Sequence, residues 1–436
     1  MRHKVAALIV ALGVITYVDR ACISSLTPTI MSRFSLTKVQ MGFVFSAFAL
    51  AYATFGIPAA WILDRKGARA VMSRMVVWWS AFMIATGAAM GYPSLLAARF
   101  LFGMGEAGAW PGMALTFSRW IPRSERGRIQ GSFFAASHFA GGMTPFLVLA
   151  LLPFMSWRAI FAAFGVVGFA WASIWHFWFR DEPADHPGVN AAEMAHIAPG
   201  NENLIRRQTG WAFWRSLLGS RSLLALCVIY FPNSFVFYFC ITWLPTYLNE
   251  QFGLTVKTLG FFAGLPLILS VFGDLFGGFT TDRMTARFGL RIGRCGVGGA
   301  AYTVAGVALL LAPTFHHPYL AASLIALATA AGNFALAPAW ATCIDLGQEN
   351  AAVVSAVMNT SGQIGSLICP LVVAYALKWY ASWDISIYIM GALYLIGAAA
   401  WCIIRPRDRI LRPGERQSTA YPASLGEAGI VKPKAE

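Results

Sequence analysis

The stretch WILDRKGARAVMSR (Trp61–Arg74) ends one long apolar segment of the chain, and a related stretch, GGFTTDRMTARFGLRIGR (Gly277–Arg294), ends another. The Asp-Arg pair of the first stretch recurs 218 residues later in the second, half the length of the 436-residue chain. A second echo pairs GGMTPFLV, which begins at Gly141, with GSLICPLV, which begins at Gly365. A repeat at half the chain's length predicts two halves of similar structure.

The composition is typical of a protein that spans a lipid bilayer. Hydrophobic residues make up 58% and charged residues 12% of the chain, and the mean hydropathy is +0.60, whereas soluble domains are roughly 25% charged. A membrane-crossing helix needs ~20 mostly apolar residues. The sequence contains twelve such segments, at approximately 5–25, 39–63, 75–92, 94–118, 129–153, 157–179, 221–248, 257–281, 295–313, 318–342, 353–377 and 384–404.

One long polar interruption separates six spans from the other six. The sequence therefore predicts an all-α membrane protein with an N-terminal six-helix bundle (1–179), a cytoplasmic linker (180–220), a C-terminal six-helix bundle (221–404) and a disordered cytoplasmic tail (405–436). The first span has no cleavage site followed by a polar chain, so we expect an anchor and not a removable signal peptide. Repeated six-span halves are typical of secondary transporters, whose substrate site lies near the membrane midplane between the halves.

The basic residues are distributed unevenly between the two sides of these spans. Of the Lys and Arg residues outside the spans, twenty-six lie on the side that carries the N-terminus and five on the other. The positive-inside rule then predicts that both termini are cytoplasmic in a bacterial inner membrane. The net charge of +14 therefore reflects topology, and we do not expect a nucleic-acid partner.

Several motifs resemble the major facilitator superfamily, and specifically its anion:cation symporter family, which includes bacterial hexuronate, galactonate and glucarate carriers and the animal sialin and vesicular glutamate carriers. The resemblance implies two pseudo-symmetric bundles and transport by alternating access. It rests on ITYVDRACIS in span one, DRKGAR after span two, ARFLFGMGEAGAWPG in span four, RWIPRSERGR after it, SWRAIF entering span six, FCITWLPTYL in span seven and MNTSGQIGSLICPLV in span eleven.

Away from the ends of the apolar spans there are five charged residues: Asp19, Arg20, Arg99, Glu106 and Asp274. Each costs at least ~2.5–3.5 kcal/mol at the bilayer centre, so they should face a cavity and form pairs. Arg99 and Glu106 are two helical turns apart on one face. Helix rise places Asp19 and Arg99 at a similar depth, about 21–22 Å from the same edge of the membrane core, which predicts an ion pair between them. Arg20, turned ~100° from Asp19, would then face the cavity and bind a carboxylate with both arms of its guanidinium.

Glu106 is predicted to carry a proton, because burial favours its neutral form and a neighbouring cation favours its ionised form. In the family that the sequence resembles, the span-one and span-four arginines bind the substrate's carboxylate or reorganise around it, and the span-one Asp and span-four Glu are linked to proton coupling. Arg20, Arg99, Asp19 and Glu106 fill these four positions. The alternative is a buried network that only fixes helix packing.

Other polar residues are weaker candidates for substrate contact. Tyr17 lies one turn before Arg20 and is otherwise a core aromatic, and His138 is otherwise a helix–helix hydrogen bond. Most remaining aromatic residues are expected to face lipid or the membrane interface. The additional candidates are Tyr17, His138, Tyr238, Thr242, Trp243, Asn359, Ser361 and Gln363.

The two Asp-Arg stretches predict a cytoplasmic gate, because a carboxylate among cations can clamp one helix end to a neighbour. The family's opening glycine is Ala60 here, and the second copy drifts into MTARFG. The alternative is a plain basic loop. Asp274 lies two turns from Asp282 and is a further candidate for the gate. The predicted gate residues are Asp64, Arg65, Arg69, Asp282 and Arg283.

The sequence offers no cofactor or metal motif. GMGEAG (Gly103–Gly108) matches a dinucleotide-binding pattern only formally, because it lies mid-span without a preceding strand, and its small residues instead favour close helix packing. No phosphate-binding loop and no Cys/His cluster is present. We therefore expect no enzyme, but a monomeric proton-coupled symporter of a small organic anion, first a sugar acid such as a hexonate, hexarate or hexuronate. The alternatives are an importer of an aromatic or dicarboxylic acid, an uncoupled uniporter or exchanger, and a non-transporting sensor.

Overall fold

Each of the twelve apolar segments predicted from the sequence forms helix. The computed structural model describes residues 1–197, 215, 217–315, 317–347 and 351–406. In the first half the described helices are α1 (Arg2–Phe34), α2 (Lys38–Lys66), α3 (Ala68–Gly87), α4 (Tyr92–Glu106), α5 (Ala109–Trp120), α6 (Arg123–Leu151), α7 (Trp157–Trp178) and the short α8 (Ala191–Ile197). In the second half they are α9 (Arg221–Thr242), α10 (Leu244–Phe252), α11 (Val256–Phe288), α12 (Val297–Leu311), α13 (Pro318–Phe334), α14 (Leu336–Gly347), α15 (Ala351–Tyr380) and α16 (Asp384–Ile403).

Three spans are interrupted, and each interruption lies just before a proline. Spans four, seven and ten consist of α4 with α5, α9 with α10, and α13 with α14. Pro111, Pro245 and Pro338 follow the three breaks. Proline lacks an N–H donor and its ring clashes with the carbonyl four residues earlier, so the preceding helix ends near that carbonyl. Within the described residues eleven helical runs are long and apolar enough to cross a membrane; span four is the twelfth, and its halves of 15 and 12 residues are individually too short.

The helices extend beyond the apolar segments that hydropathy identifies. The predicted spans 5–25 and 257–281 lie inside α1 and α11, which are 33 residues each. The added residues include polar ones such as Arg33 and Arg287, because the backbone hydrogen bonds of a helix do not require apolar side chains. Hydropathy therefore predicts how much of a helix is immersed, and not where the helix ends.

The two halves pack against one another mainly through α6 against α11 and α2 against α15. At the first crossing a Cβ atom on Gly264 would overlap the carbonyl oxygen of Gly142, and a Cβ on Gly142 would lie 2.8 Å from the Gly264 oxygen. A Cβ on Gly42 of α2 would similarly lie 2.9 Å from the oxygen of Pro370 in α15. Small residues let the backbones of membrane helices approach closely, so these glycines set the distance between the bundles.

Because successive spans alternate in direction, the molecule has two distinct ends. We call the end that carries Met1, Arg65 and Arg283 the basic end, and the end that carries Lys38 and Glu250 the far end. That the basic end faces the cytoplasm stays a prediction from charge. The predicted disorder of the tail concerns residues that, from 407 onward, lie outside the described part of the chain, as do 198–214 of the predicted linker.

Candidate substrate site

A buried ion pair between α1 and α4 forms the centre of the candidate site. The Nε atom of Arg20 donates to Oε1 of Glu106 at 2.5 Å, and the two side chains are 11% and 1% exposed. Among the described residues, Nη2 of Arg20 and Oε2 of Glu106 have no hydrogen-bond partner. The pair therefore leaves donor capacity on Arg20 that a bound anion can use.

Two guanidinium groups lie against one phenyl ring in this site. The centre of the Phe48 ring is 5.2 Å from the guanidinium carbon of Arg20 and 5.3 Å from that of Arg99. Tyr52 and Phe102 supply further rings, 4.7 Å from Arg20 and 4.3 Å from Arg99. A cation within ~6 Å of a ring centre is attracted by the face of the ring. These contacts hold both cations in place while leaving Nε and Nη1 of Arg99 without hydrogen-bond partners among the described residues.

A narrow cavity of about 10 Å³, roughly the space of one water molecule, adjoins both arginines. Its walls come from spans one, two and four of the first bundle and span seven of the second, so it lies between the halves. Apart from the cations its walls are largely apolar, and the Thr242 hydroxyl donates to the backbone oxygen of Tyr238 at 2.6 Å. The lining residues are Arg20, Ile23, Phe45, Phe48, Arg99, Tyr238, Ile241 and Thr242.

The prediction of an ion pair between Asp19 and Arg99 is wrong. Asp19 is 1% exposed, yet neither carboxylate oxygen has a hydrogen-bond partner among the described residues, and Glu106 takes Arg20 instead. The two Cα atoms were correctly expected on antiparallel spans, but helical side chains tilt toward the N-terminus of their own helix. The Asp19 and Arg99 side chains therefore tilt in opposite directions, whereas the long Arg20 side chain tilts toward Glu106.

His138 and Asp274 form a second contact inside the bundles, the helix–helix hydrogen bond that is the alternative for His138 in the sequence analysis, with a partner that the sequence did not predict. His138 Nδ1 lies 2.9 Å from Asp274 Oδ2, which joins α6 of the first bundle to α11 of the second. Tyr17 packs edge-on against the His138 ring at 5.4 Å and lies 5.9 Å from the Arg20 guanidinium. Asp274 thus belongs to the bundle interface near the site, and not to the gate, because its side chain turns toward α6.

The remaining predicted substrate contacts lie in the second bundle, outside the cavity wall. The Ser361 hydroxyl donates to the backbone oxygen of Cys227 at 2.7 Å, which ties α15 to α9. Trp243 donates through Nε1 to the Pro370 oxygen at 3.2 Å. Asn359 and Gln363 are half-buried on α15 and do not line the cavity.

Polar contacts hold the bundles together at the far end. Lys38 Nζ lies 2.6 Å from Glu250 Oε2, and Trp383 Nε1 donates to the same oxygen at 3.2 Å. The Ser46 hydroxyl donates to the backbone oxygen of Leu367 at 2.8 Å. The Lys38–Glu250 and Ser46–Leu367 contacts join the two bundles at the far end.

The first gate stretch forms contacts within its own bundle. Gly67 has a φ of 80°, a conformation that glycine adopts without strain, and it connects α2 to α3. Oδ1 of Asp181 accepts hydrogen bonds from the backbone N–H groups of Ala68 and Arg69, at 2.5 and 3.0 Å. Arg69 Nε donates to the His176 oxygen at 2.7 Å. Asp181 thus caps α3, a role that the sequence analysis missed because the residue lies in the predicted linker.

Other gate residues are more exposed. The Arg65 guanidinium lies 3.9 Å from the centre of the Trp61 ring, and the side chain of Asp64 lies outside the described residues. Asp282 is 84% exposed and 3.8 Å from Arg294, whose Nε donates to Asp345 at 2.9 Å. Arg283 is exposed. Of the described gate residues, Arg69 joins two helices of the first bundle, whereas Arg65 contacts a ring on its own helix.

Sequence reasoning also missed Phe48 and Tyr52. Their spacing of four residues places them on one face of α2, but apolar aromatics in a membrane span were expected to face lipid. The two aromatics indicate a site only when they are considered together with a buried arginine on a neighbouring span. Such an arginine needs partners, and aromatic faces can supply them.

Comparison with known proteins identifies the family. The profile of the Major Facilitator Superfamily matches residues 9–370. The chain is 32% identical over 420 residues to the probable sulfoacetate transporter SauU of Cupriavidus necator, covering 95% of this chain and 96% of that one. It is 29% identical to the probable galactarate/D-glucarate transporter GudP of Bacillus subtilis, with coverage of 88% and 86%, and 29% identical to the D-galactonate transporter of Escherichia coli O6:H1, with coverage of 92% and 95%.

A solved structure shows the same fold. It is a bacterial homologue of the human lysosomal transporter Spinster in an inward-facing, occupied conformation, with a TM-score of 0.74, 19% identity and coverage of 92% of this chain and 96% of that one. With twelve spans among the described residues, the central cavity and the matched profile, the chain belongs to the Major Facilitator Superfamily, among relatives named as transporters of organic anions.

Proposed function

We propose that the protein is a symporter that imports a small organic anion together with protons across a bacterial inner membrane by alternating access. Arg20 and Arg99 would hold the acid group of the substrate, and Glu106 and Asp19 would carry the protons. The protein would work as a monomer with both termini in the cytoplasm. The observation that supports this most directly is the Arg20–Glu106 pair beside the cavity.

The pair provides a way to couple anion and proton. A substrate carboxylate that binds the Arg20 guanidinium bidentately competes with Glu106 for the same donors. Once displaced, Glu106 is a buried carboxylate without its cation, and such a group is costly in its ionised form. Anion binding therefore favours uptake of a proton by Glu106, and loss of that proton returns Glu106 to Arg20 and releases the anion.

Asp19 and Arg99 would support the same exchange. Both are buried, and both carry atoms without hydrogen-bond partners among the described residues. A protonated Asp19 needs no cation, which leaves Arg99 free to contact a second oxygen of the substrate. An ionised Asp19 would instead offset the charge of Arg99 when the site is empty.

Alternating access would break the contacts at one end while others form at the other. Lys38–Glu250 and Ser46–Leu367 join the bundles at the far end, and we propose that they close it to the outside. Opening to that side requires these contacts to separate. The gate residues at the basic end would then close, and this is the role we propose for Asp64, Arg65, Arg69, Asp282 and Arg283.

The proposed substrate class is a sugar acid, as in the relatives named for galactonate, galactarate/D-glucarate and hexuronate transport. A second class, short anions with two acid groups, is favoured by the cavity itself. Its two cations and apolar walls, including Phe45 and Ile241, suit acid groups better than a row of hydroxyl groups. The relative named for sulfoacetate transport is in keeping with this alternative.

Transport by purified protein in liposomes tests the proposal. Radiolabelled D-galactonate, D-glucarate and sulfoacetate would be supplied with an inward pH gradient. We expect wild-type accumulation of one of these anions, and Glu106→Gln to abolish gradient-driven accumulation while exchange of internal for external anion persists. Arg20→Ala should eliminate saturable binding, and Arg119→Ala, at an exposed ion pair with Glu182, is the matched control.

Each rival predicts a different outcome. Uptake that does not depend on the pH gradient would identify a uniporter or exchanger. Saturable binding without any transport would identify a sensor. Full gradient-driven accumulation by Glu106→Gln would overturn the proposed role of Glu106.

A further inference from the structure

The His138–Asp274 contact is the second place where ionisable side chains meet inside the membrane. It joins the two bundles, because His138 is on α6 and Asp274 is on α11. The His138 side chain is 6% exposed and that of Asp274 is 23% exposed. It lies between the same two helices that Gly142 and Gly264 bring together, so a movement of one bundle against the other would change this contact.

The surroundings of the pair are aromatic and connect it to the substrate site. The His138 ring packs on Tyr17 of α1 at 5.4 Å and on Phe237 of α9 at 5.6 Å. Tyr17 and Tyr230 of α9 interact electrostatically with Asp274. The Arg20 guanidinium lies 5.9 Å from the Tyr17 ring.

The addition of one proton changes the net charge of this contact and the type of its hydrogen bond. A neutral imidazole beside a carboxylate carries a net charge of −1, whereas an imidazolium beside a carboxylate is neutral overall and forms a charge-assisted hydrogen bond. Histidine gains or loses a proton near physiological pH, and a net charge inside a membrane is costly. The protonated pair would therefore hold the bundles together across a low-dielectric interface, and the deprotonated pair would hold them less tightly.

We propose that His138 and Asp274 form a further proton-binding site, separate from the anion site, which adds one proton to each transport cycle. The partly exposed Asp274 carboxylate takes up the proton, and the imidazole retains it as imidazolium. This inference rests on the proposed function, since it assigns a further residue pair to the same proton-coupled cycle.

The plateau of accumulation at zero membrane potential tests this proposal. Under that condition each coupled proton contributes about tenfold to the accumulation ratio per pH unit, because ~1.36 kcal/mol corresponds to a factor of ten. Liposomes clamped with potassium and valinomycin would be given gradients of different size. The slope of log accumulation against pH difference equals the number of coupled protons. We expect this slope to be lower by one in Asp274→Asn and in His138→Gln. For a gradient of one pH unit, the accumulation plateau would then be tenfold lower. Asp274→Glu should restore the wild-type slope.

Lys38→Gln is the matched control, because it removes a different contact between the bundles, the Lys38–Glu250 pair at the far end. It should change the rate of uptake without changing the slope. Anion exchange by each variant shows that it is folded. If one of Asp274→Asn and His138→Gln does not exchange anion, the other variant provides the test.

The outcomes separate this inference from the proposed function. Equal slopes for wild type, Asp274→Asn and His138→Gln would overturn the inference while leaving proton coupling through Glu106 in place. A wild-type slope of zero would overturn both. A slope lowered equally in Lys38→Gln would show that the effect comes from any weakened contact between the bundles, and would also overturn the inference.

Discussion

Replacing Arg20 by lysine separates the charge of this residue from its shape. Arg20 Nε is bonded to Glu106, Nη2 is free of partners among the described residues, and the guanidinium packs on the rings of Tyr52 and Phe48. Lysine keeps the positive charge but lacks the planar fork that binds a carboxylate with two donors. We therefore expect Arg20→Lys to weaken anion binding while leaving the protein folded.

The size of the effect follows from the contacts that are lost. A hydrogen bond to a charged group contributes ~1.5–3 kcal/mol, so losing one arm of a bidentate contact should weaken binding about 10- to 150-fold. Arg20→Ala also leaves the buried Glu106 without a cation, and truncating one partner of a buried charged pair costs ~2–5 kcal/mol. We therefore expect Arg20→Ala to weaken anion binding more than Arg20→Lys does.

The assay is a titration of intrinsic tryptophan fluorescence or a thermal shift, with D-galactonate, D-glucarate and sulfoacetate as ligands. Arg119→Lys serves as the control for a basic residue outside the site. Arg20→Lys binding within threefold of wild type would refute the assignment of Arg20 as a bidentate anion ligand.

Two further predictions concern parts of the molecule outside the anion site. Gly264→Ala should slow transport at least tenfold and lower the Tm, because its Cβ would overlap the Gly142 oxygen and overpacking costs ~1–3 kcal/mol; Gly278→Ala on the same helix, where a Cβ meets nothing within 4 Å, should be neutral, and equal rates and Tm values for the two variants would contradict this. The hydrogen bond from Arg2 lowers the pKa of Glu125 to about 2, and Glu125 precedes the membrane span that starts at Gly131. The contact therefore stabilises the fold fully above the ordinary pKa of about 4.5 and loses this effect as the pH falls toward 2. Glu125→Gln should lower the Tm at pH 7 and by progressively less below pH 4.5, and a Tm difference that does not depend on pH would contradict the assignment.

The sequence predicted the spans and the two-bundle fold, since these depend on local composition, and the cost of intramembrane charge singled out Arg20 and Arg99, which line the cavity. It did not predict which charges pair. Asp19 and Arg99 have similar depths along their helices, but pairing depends on the direction in which each side chain tilts, and Arg20 reaches Glu106 instead. Depth along a helix is encoded locally, whereas the meeting of two side chains depends on how two helices are rotated about their axes.

The same limit explains the His138–Asp274 contact and the role of Phe48. Each of these residues lies on a span whose presence was predicted, but the contact requires knowledge of which spans adjoin. The packing of α6 on α11, set by Gly142 and Gly264, brings His138 to Asp274. Sequence echoes between the halves identified the glycine-rich stretch from Gly141, without indicating its partner.

Proton uptake upon anion binding tests the central claim most directly, since the account holds that the substrate displaces Glu106 from Arg20. Purified protein in weakly buffered detergent solution would be mixed with the anion that it binds, and the pH change would be followed with an indicator dye. We expect the wild-type protein to take up a proton as the anion binds, and Glu106→Gln to bind the anion with that uptake reduced or absent. Anion binding by the wild-type protein without any proton uptake, or equal uptake by Glu106→Gln, would contradict the account.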